Sequence, residues 1–283
     1  MNLGIGSKVK LFLEFSELPC SKQTGRGCYD VSVTPEKLAI LVVVFFLTSV
    51  LSVITGSTSL ITVPVMIAFG IEPHRAVATN MLALTFMSIG GSLPFMRANV
   101  IERDRLRTLA ALTVVGSALG ALLLLTVPVR ALQIVIAIAM ITVATFSLFN
   151  ESLGVEGREA SVSPSAVLTG YVLTFALAVY GGFFSGGYVT LLTAAFAVFF
   201  GMTFLKAVAT TKLINVFSSA VATLIFYWRG VVDLKLGAIL GVSMFLGALL
   251  GGRIALVLKA IWIRRIFVAA VLGLAIKMLF FTP

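Results

Sequence analysis

Long apolar stretches separated by short polar joints run through most of the chain. They fall at residues 38–55, 58–69, 76–96, 106–127 and 131–149, and again at 165–183, 187–200, 207–228, 236–258 and 263–281. Between the two sets lies a polar joint, Asn150 to Ser165, carrying Glu151, Glu156, Arg158 and Glu159. Runs such as Leu38–Thr55 and Leu106–Val127 cannot be hidden in one globular core. At roughly 20 residues per crossing, the stretches would fill about eight to ten membrane spans. The pattern therefore predicts an all-α integral membrane protein. Its parts are an N-terminal tail (1–37), a first membrane repeat (38–149), a linker (150–164) and a second repeat (165–283).

The two sets of segments are copies at a constant offset of 131 residues, without a gap. Ala76-Val77-Ala78-Thr79 falls on Ala207-Val208-Ala209-Thr210. Gly56 falls on Gly187, Leu60 on Leu191, Thr62 on Thr193, and Phe69-Gly70 on Phe200-Gly201. Phe86 and Ser88 match Phe217 and Ser219, and Gly116 and Gly120 match Gly247 and Gly251. Those last pairs are small-xxx-small motifs, which let two helices approach closely in lipid. Leu, Ala and Val coincide often by chance in such a composition, but Gly and Thr in one register do not.

Two segments in corresponding places are too short to cross. Thr58–Phe69 would make about 18 Å of helix against a hydrocarbon core of about 30 Å, and Tyr188–Phe200 is scarcely longer. Each follows a breaker: Thr55-Gly56-Ser57-Thr58-Ser59 in the first half, and Gly181-Gly182-Phe183-Phe184-Ser185-Gly186-Gly187 in the second. Irregular backbone at membrane depth survives only where protein or a wet cavity satisfies its polar groups. Paired, Gly-interrupted short segments in two repeats point to a transporter's binding site. A plain kink between packed helices is the alternative.

Composition agrees. Hydrophobic residues make up 59% of the chain and charged ones 11%, against about 45–50% and about 25% in soluble domains, and the mean hydropathy is +1.12. The formal charge of +10 is scattered among the spans, so no basic face for nucleic acid can form. Cys20 and Cys28 are the only cysteines, which excludes a disulfide scaffold, although the tail could hold one bridge if it is extracytoplasmic. The tail also has no signal-peptide core. If all ten segments cross, the halves are inverted. One face then holds Arg97, Arg103, Arg105, Arg107, Arg158, Lys206, Arg253, Lys259, Arg264 and Arg265, and the other Arg75, Arg130, Arg229 and Lys235. The richer face reads as cytoplasmic. Re-entrant short segments would instead give parallel repeats, a rival that the tail's five cations favour; the tail's four acids nearly balance them.

A helix that starts at membrane depth aims unsatisfied N–H groups and about half a positive charge at whatever precedes it. Two such starts would make an anion site. The candidates for it are Gly56, Ser57, Thr58, Ser59, Thr79, Asn80, Gly186, Gly187, Thr210, Thr211, Lys212 and Asn215. Small residues let backbone come close to an oxyanion, and the hydroxyls and amides add short donors. For each hydroxyl a back-bond to its own helix is the competing use. Lys212 is expected five residues inside its segment, about 8 Å from the end, where it either serves the site or snorkels. It shares a helix face with Asn215 at i, i+3. Lys277 reads as a snorkelling lysine. Arg75 and Lys206 read as interfacial anchors just ahead of their helices, or as entrance gates. His74 sits in a polar loop.

The absences narrow the function. The apolar segments contain no Asp or Glu, so a carboxylate proton relay has no material. There is no phosphate loop for ATP, no histidine beside a buried serine for hydrolysis, and no metal-ligand set. The expectation is a non-enzyme with neither cofactor nor metal, whose partners are the lipid bilayer and a small solute.

Several stretches look like a known family. They are Gly181-Gly-Phe-Phe-Ser-Gly-Gly187, Phe204-Leu-Lys-Ala-Val-Ala-Thr-Thr-Lys-Leu-Ile-Asn215, Gly230-Val-Val-Asp-Leu-Lys-Leu-Gly237 and Gly247-Ala-Leu-Leu-Gly-Gly-Arg253. With Leu60-Ile-Thr-Val-Pro64, Gly70-Ile-Glu-Pro73 and Ala76-Val-Ala-Thr-Asn80, they make residues 40–281 resemble the sulfite exporter TauE/SafE family of membrane permeases. The first Gly cluster departs from the family's usual run, since Ser, Thr and Ser follow Gly56, and Asn80 stands where a Ser is common. The resemblance implies a multi-pass protein of the inner membrane exporting a sulfur-containing anion, such as sulfite, sulfoacetate or thiosulfate. Alternating access at the two breaks would carry it, and the membrane potential could drive export without a coupling ion. A permease for another small anion, such as a carboxylate, and a non-transporting membrane scaffold are the rivals. The oligomeric state is left open.

Overall fold

The computed structural model describes residues 34–56, 58–149 and 162–256. These form helices α1 (Pro35–Thr55), α2 (Ser59–Ala68), α3 (Pro73–Arg97), α4 (Leu106–Leu124), α5 (Val129–Phe149), α6 (Pro164–Phe183), α7 (Tyr188–Phe200), α8 (Phe204–Trp228) and α9 (Leu234–Ala255), and no strand among the described residues. Six of them (α1, α3, α4, α6, α8 and α9) are long and apolar enough to cross a membrane. Large apolar side chains such as Ile40, Val43, Leu47, Val115, Leu119, Leu168, Val172, Leu246 and Leu250 are exposed on their outer faces. Water would penalise such a belt, whereas hydrocarbon accepts it. The expected segment 263–281, Lys277, both cysteines and most of the linker lie outside the described residues.

Two boundaries differ from the expected ones. α3 and α8 begin a turn earlier than Ala76 and Ala207 because each is capped. The Glu72 carboxylate accepts from the His74 and Arg75 N–H groups, and the Thr203 hydroxyl accepts from the Lys206 N–H. Arg75 and Lys206 thus lie inside the first turn rather than ahead of it. The second breaker is also shorter than expected. α6 continues through Gly181 and Gly182, leaving only Phe184–Gly187 irregular. Those two glycines serve packing: a Cβ on Gly182 would lie 2.1 Å from the Ser117 carbonyl oxygen, and one on Gly181 would lie 2.7 Å from the Tyr188 ring.

The small-xxx-small motifs do what their spacing predicts. Gly116 and Gly120 of α4 press against Ala178 and Val179 of α6, and Gly247 and Gly251 of α9 against Phe46 and Val50 of α1. At Gly120 a Cβ would fall 1.9 Å from the Val179 carbonyl oxygen, so backbone touches backbone. α9 also runs beside α3 in the same direction, with Gly237 on Leu82, Gly241 on Phe86 and Gly252 on Pro94. α3 and α8 are antiparallel. Asp233, beyond the end of α8, meets Thr79 near the start of α3; Asn215 meets Ser88; Glu102, beyond the end of α3, meets Thr210.

At Gly56 the chain reverses. α2 runs back along α3, from Thr58 against the Met87 sulfur to Thr62 against the Asn80 amide. α1 and α2 therefore form a hairpin. Its tip lies beside the middle of α3, a helix of 25 residues and hence about 37 Å. α6 and α7 make the second hairpin, turning at Phe184–Gly187, with Thr193 against Thr211 of α8.

Candidate functional site

The two hairpin tips touch. Gly56 closes α1 in the left-handed conformation (φ 81°), its N–H donating to the Ser52 carbonyl at 2.7 Å. A Cβ there would lie 2.9 Å from the backbone nitrogen of Thr190 in the first turn of α7. Reciprocally, a Cβ on Gly186 would meet Leu60, in the first turn of α2, at 2.6 Å. Gly187 also has positive φ (80°). Gly56, Ser185, Gly186 and Gly187 are buried. Side-chain oxygens cap α3, α6, α8 and α9, whereas neither α2 nor α7 has a side-chain cap. The positive ends of both short helices thus lie at the junction of the breaks.

The predicted donors divide into three groups. In the first, Asn80 is fully engaged: its Nδ2 donates to Ser59 Oγ at 2.9 Å and its Oδ1 accepts from Thr62 Oγ1 at 2.8 Å, pinning α2 to α3. Thr211 does the equivalent work in the other half, bonding Thr193 at 3.0 Å. Thr79 and Thr210 form the second group and turn to the loops at the ends of α8 and α3. Thr79 Oγ1 accepts from the Asp233 N–H at 3.0 Å, and Thr210 Oγ1 accepts from the Glu102 N–H at 3.1 Å. Asp233 and Glu102 are themselves 131 residues apart, so the duplicated threonines hold duplicated loops. The third group is at the tips. Thr58 Oγ1 lies 2.5 Å from Ser52 Oγ and 3.2 Å from the Met87 sulfur. Ser57 lies outside the described residues.

Lys212 does not snorkel. With α8 starting at Phe204 it lies eight residues in, about 12 Å from the helix end. It is 1% exposed, and its stem passes Gly91. The ammonium donates to the Ser52 carbonyl at 2.9 Å. That carbonyl also accepts the Gly56 N–H, so the charge sits at the electronegative end of α1, against the first hairpin tip. Among the described residues no carboxylate pairs with it. Asn215, one turn on, donates to Ser88 Oγ at 2.7 Å, while its buried Oδ1 has no hydrogen-bond partner.

The remaining charges stay at the rims. Lys206 Nζ bonds Glu102 Oε2 at 2.6 Å. Partial burial pushes the Glu102 carboxyl upward, but the hydrogen bond and charge of Lys206 outweigh it and hold the group below the usual carboxylate range. Glu72 likewise ends lowered, since the Arg75 and His74 N–H groups and the His74 ring outweigh its burial. His74 bridges Glu72 and the Val127 carbonyl, tying the start of α3 to the α4–α5 turn. A cavity of about 310 Å³ lined by Val135, Ile138, Ala139, Thr142, Leu177, Tyr180 and Leu191 is apolar, and the Tyr180 hydroxyl in its wall donates to the Gly186 carbonyl of the second tip.

Sequence reasoning passed over Ser52, Ser88, Thr113, Ser117, Tyr188 and Ser218. The available signal was the stripe Thr211, Lys212, Asn215, Ser218, Ser219, which marks one polar face of an otherwise apolar helix.

Comparison with known proteins follows the same line. The "Probable membrane transporter protein YfcA" of Escherichia coli K12 is 32% identical over 226 residues, covering 79% of this chain and 82% of that protein. The "Probable membrane transporter protein ORF9" of a Sinorhizobium species is 30% identical over 246 residues, covering 86% and 92%. A "Probable membrane transporter protein" of Haemophilus influenzae is 28% identical over 243 residues, covering 86% and 94%. No solved structure matches. The family described as "Sulfite exporter TauE/SafE" matches residues 41–278. The chain is a multi-pass membrane transporter belonging to the sulfite exporter TauE/SafE family.

Proposed function

We propose that the protein exports a small sulfur-containing oxyanion or organosulfonate, such as sulfite, sulfoacetate or thiosulfate, across the inner membrane. The observation that carries this reading is Lys212: a buried ammonium with no carboxylate partner among the described residues, placed where two interrupted helices meet. A lysine in that setting costs a few kcal/mol unless it is used, and an anion is the chemistry that uses it. Three oxygens on one sulfur suit a ring of weak donors, here Lys212, Asn215 and the uncapped N–H groups of α2 and α7, with Gly56, Gly186 and Gly187 keeping side chains out of the way. Thr79, Asn80, Thr210 and Thr211 support the site by fixing the loops and hairpins around it.

The hairpins give the transport scheme its geometry. A hairpin followed by three further segments, with the expected segment 263–281 as the last of the second half, would make each half odd in crossings, and antiparallel α3 and α8 agree with inverted halves. The loop 97–107, with Arg97, Arg103, Arg105 and Arg107, and the start of α8, with Lys206, fall on one face, read as cytoplasmic. Alternating access parts the two tips toward one face and then the other. An anion leaving a cell that is negative inside gains about 2.3 kcal/mol per charge per 100 mV, so export needs no coupling ion.

The test is efflux from proteoliposomes loaded with sulfite, sulfoacetate or acetate. The expected result is voltage-dependent efflux of the sulfur anions in preference to acetate. Preference for acetate would point to a carboxylate permease, and no efflux of any of the three to a scaffold.

A further inference from the structure

Beside the second hairpin tip lies a group of hydroxyls that none of the contacts above uses. Thr113 and Ser117 stand one turn apart on α4, Tyr188 opens α7, and Ser218 lies near the middle of α8. All four are buried, none more than 1% exposed. Ser117 Oγ and Ser218 Oγ bond each other at 2.6 Å, and Ser117 also reaches the Ala178 carbonyl. The Tyr188 hydroxyl lies within reach of the Thr113 and Ser218 hydroxyls, yet neither it nor Thr113 Oγ1 completes a well-formed hydrogen bond. Two such hydroxyls side by side are unusual in a folded interior.

Packing does not explain them. The positions 131 residues away from Thr113, Ser117 and Ser218 are Met244, Ala248 and Met87, buried with no hydroxyl among them. None of these three hydroxyls is thus repeated at the 131-residue offset, although Ser52 and Thr58 place hydroxyls of their own beside Met87. They are also held in place. Gly181 lies flat against the Tyr188 ring, and the hairpin tip that carries the ring touches Gly56 of the other tip.

We propose that the Tyr188 and Thr113 hydroxyls form a second, uncharged subsite for the transported anion, with Ser117 and Ser218 orienting them. This rests on the anion reading above and assigns its donors. Each of the two hydroxyls has a proton that can turn from its neighbour to an anion, and a phenol is a good donor to an oxyanion. Lys212 holds the charge from the side of the first tip, while the hydroxyls take sulfonate or sulfite oxygens from the side of the second. Hydroxyls bind without adding charge, so the anion is gripped by number of contacts and can still leave.

The test compares purified wild type, Tyr188→Phe, Thr113→Val and, as a control, Ser243→Ala, whose hydroxyl bonds the Val42 carbonyl away from the cluster. Thermal stabilisation is followed against potassium sulfite, potassium sulfoacetate, potassium chloride and sodium chloride. The expected result is that the two sulfur anions stabilise wild type and Ser243→Ala alike. In Tyr188→Phe and Thr113→Val the concentration for half the effect rises about tenfold, with melting in chloride unchanged or higher. Wild-type midpoints in both variants would overturn the subsite while leaving the anion reading intact. Loss of melting temperature in chloride would make the hydroxyls structural and also overturn it. Stabilisation by sodium chloride that Tyr188→Phe abolishes would replace the anion subsite with a cation site. A wild type that no sulfur anion stabilises would remove the anion reading itself.

Discussion

Replacing Lys212 by Met separates a functional lysine from a structural one. An ammonium near the bilayer centre costs about 2.5–3.5 kcal/mol on insertion scales. Against that stand one charge-assisted hydrogen bond to the Ser52 carbonyl, about 1.5–3 kcal/mol, and its place at the end of α1, about 0.3–1 kcal/mol. The two sides nearly cancel. Met fills a similar volume, and the Ser52 carbonyl keeps the Gly56 N–H, so no buried acceptor is stranded. Stability should therefore change by no more than about 1 kcal/mol, or roughly 2–4 °C in Tm. Transport should not survive. Losing a charge-assisted contact to the anion, about 3 kcal/mol at the strong end, lowers affinity by about two orders of magnitude. The assay pairs a melting curve with sulfite and sulfoacetate efflux from proteoliposomes. Efflux within twofold of wild type would take Lys212 out of the site. A Tm fall of about 10 °C or more would make it a packing residue.

Gly56→Ala should destabilise clearly more than Gly70→Ala. Both have positive φ (81° and 92°), but only the Gly56 Cβ meets backbone, at 2.9 Å, while Gly70 has open space; Gly70→Ala should show strain alone, about 1–2 kcal/mol, and equal melting shifts would refute tip-to-tip contact. Glu102→Gln tests the Lys206 pair through pH. The lowered Glu102 carboxyl contributes stability above its unfolded value of about 4.3 and loses it as pH falls through the folded value. The variant should melt below wild type at pH 7, by under about 1 kcal/mol for a partly exposed pair, and the gap should close below about pH 4. A gap that widens in acid would contradict the assigned partner. Asp104→Cys and Lys235→Cys, at equivalent exposed positions, test inversion in a background without Cys20 and Cys28. An impermeant maleimide on whole cells should label the second and not the first, and labelling of both alike would refute it.

Much of the fold was legible because lipid makes sequence explicit. Apolar runs and the glycine pairs each state a single physical need, and the described helices follow them closely. What escaped was set by local chemistry. Glu72 and Thr203 start their helices a turn early by capping, and nothing in hydropathy marks a cap. Gly181 and Gly182 read as a break because glycine can signal either a turn or a close approach, and here the neighbour decides: the Tyr188 ring and the Ser117 backbone need the space. Thr79 and Thr210 stood out because they recur at one offset in the sequence, and a loop N–H that each accepts, from Asp233 and Glu102, leaves no mark in hydropathy. Lys212 was recognisable as anomalous, yet its partner 160 residues away was not.

The contrast between the halves bears on how such a site could arise. α3 and α8 have equal length and equivalent neighbours, but their inner stripes differ. α3 carries Asn80, Met81, Leu84, Met87 and Ser88, and α8 carries Thr211, Lys212, Asn215, Ser218 and Ser219. The residues that pin the short hairpins (Asn80, Thr211) and the shared serines (Ser88, Ser219) occur in both stripes. Lys212, Asn215 and Ser218 oppose Met81, Leu84 and Met87, and only the polar member of each pair carries an expense in lipid. On the proposed anion reading, the shared features serve architecture and the asymmetric polar ones the solute. On this argument, exchanging Met81 for Lys should unsettle the fold without adding transport, because Met81 is 1% exposed and an ammonium there costs a few kcal/mol in lipid. Melting of Met81→Lys well below wild type, beside the near-neutral Lys212→Met, is the expected pairing. Equal tolerance at the two positions would show that the stripes are interchangeable and that the asymmetry carries no function.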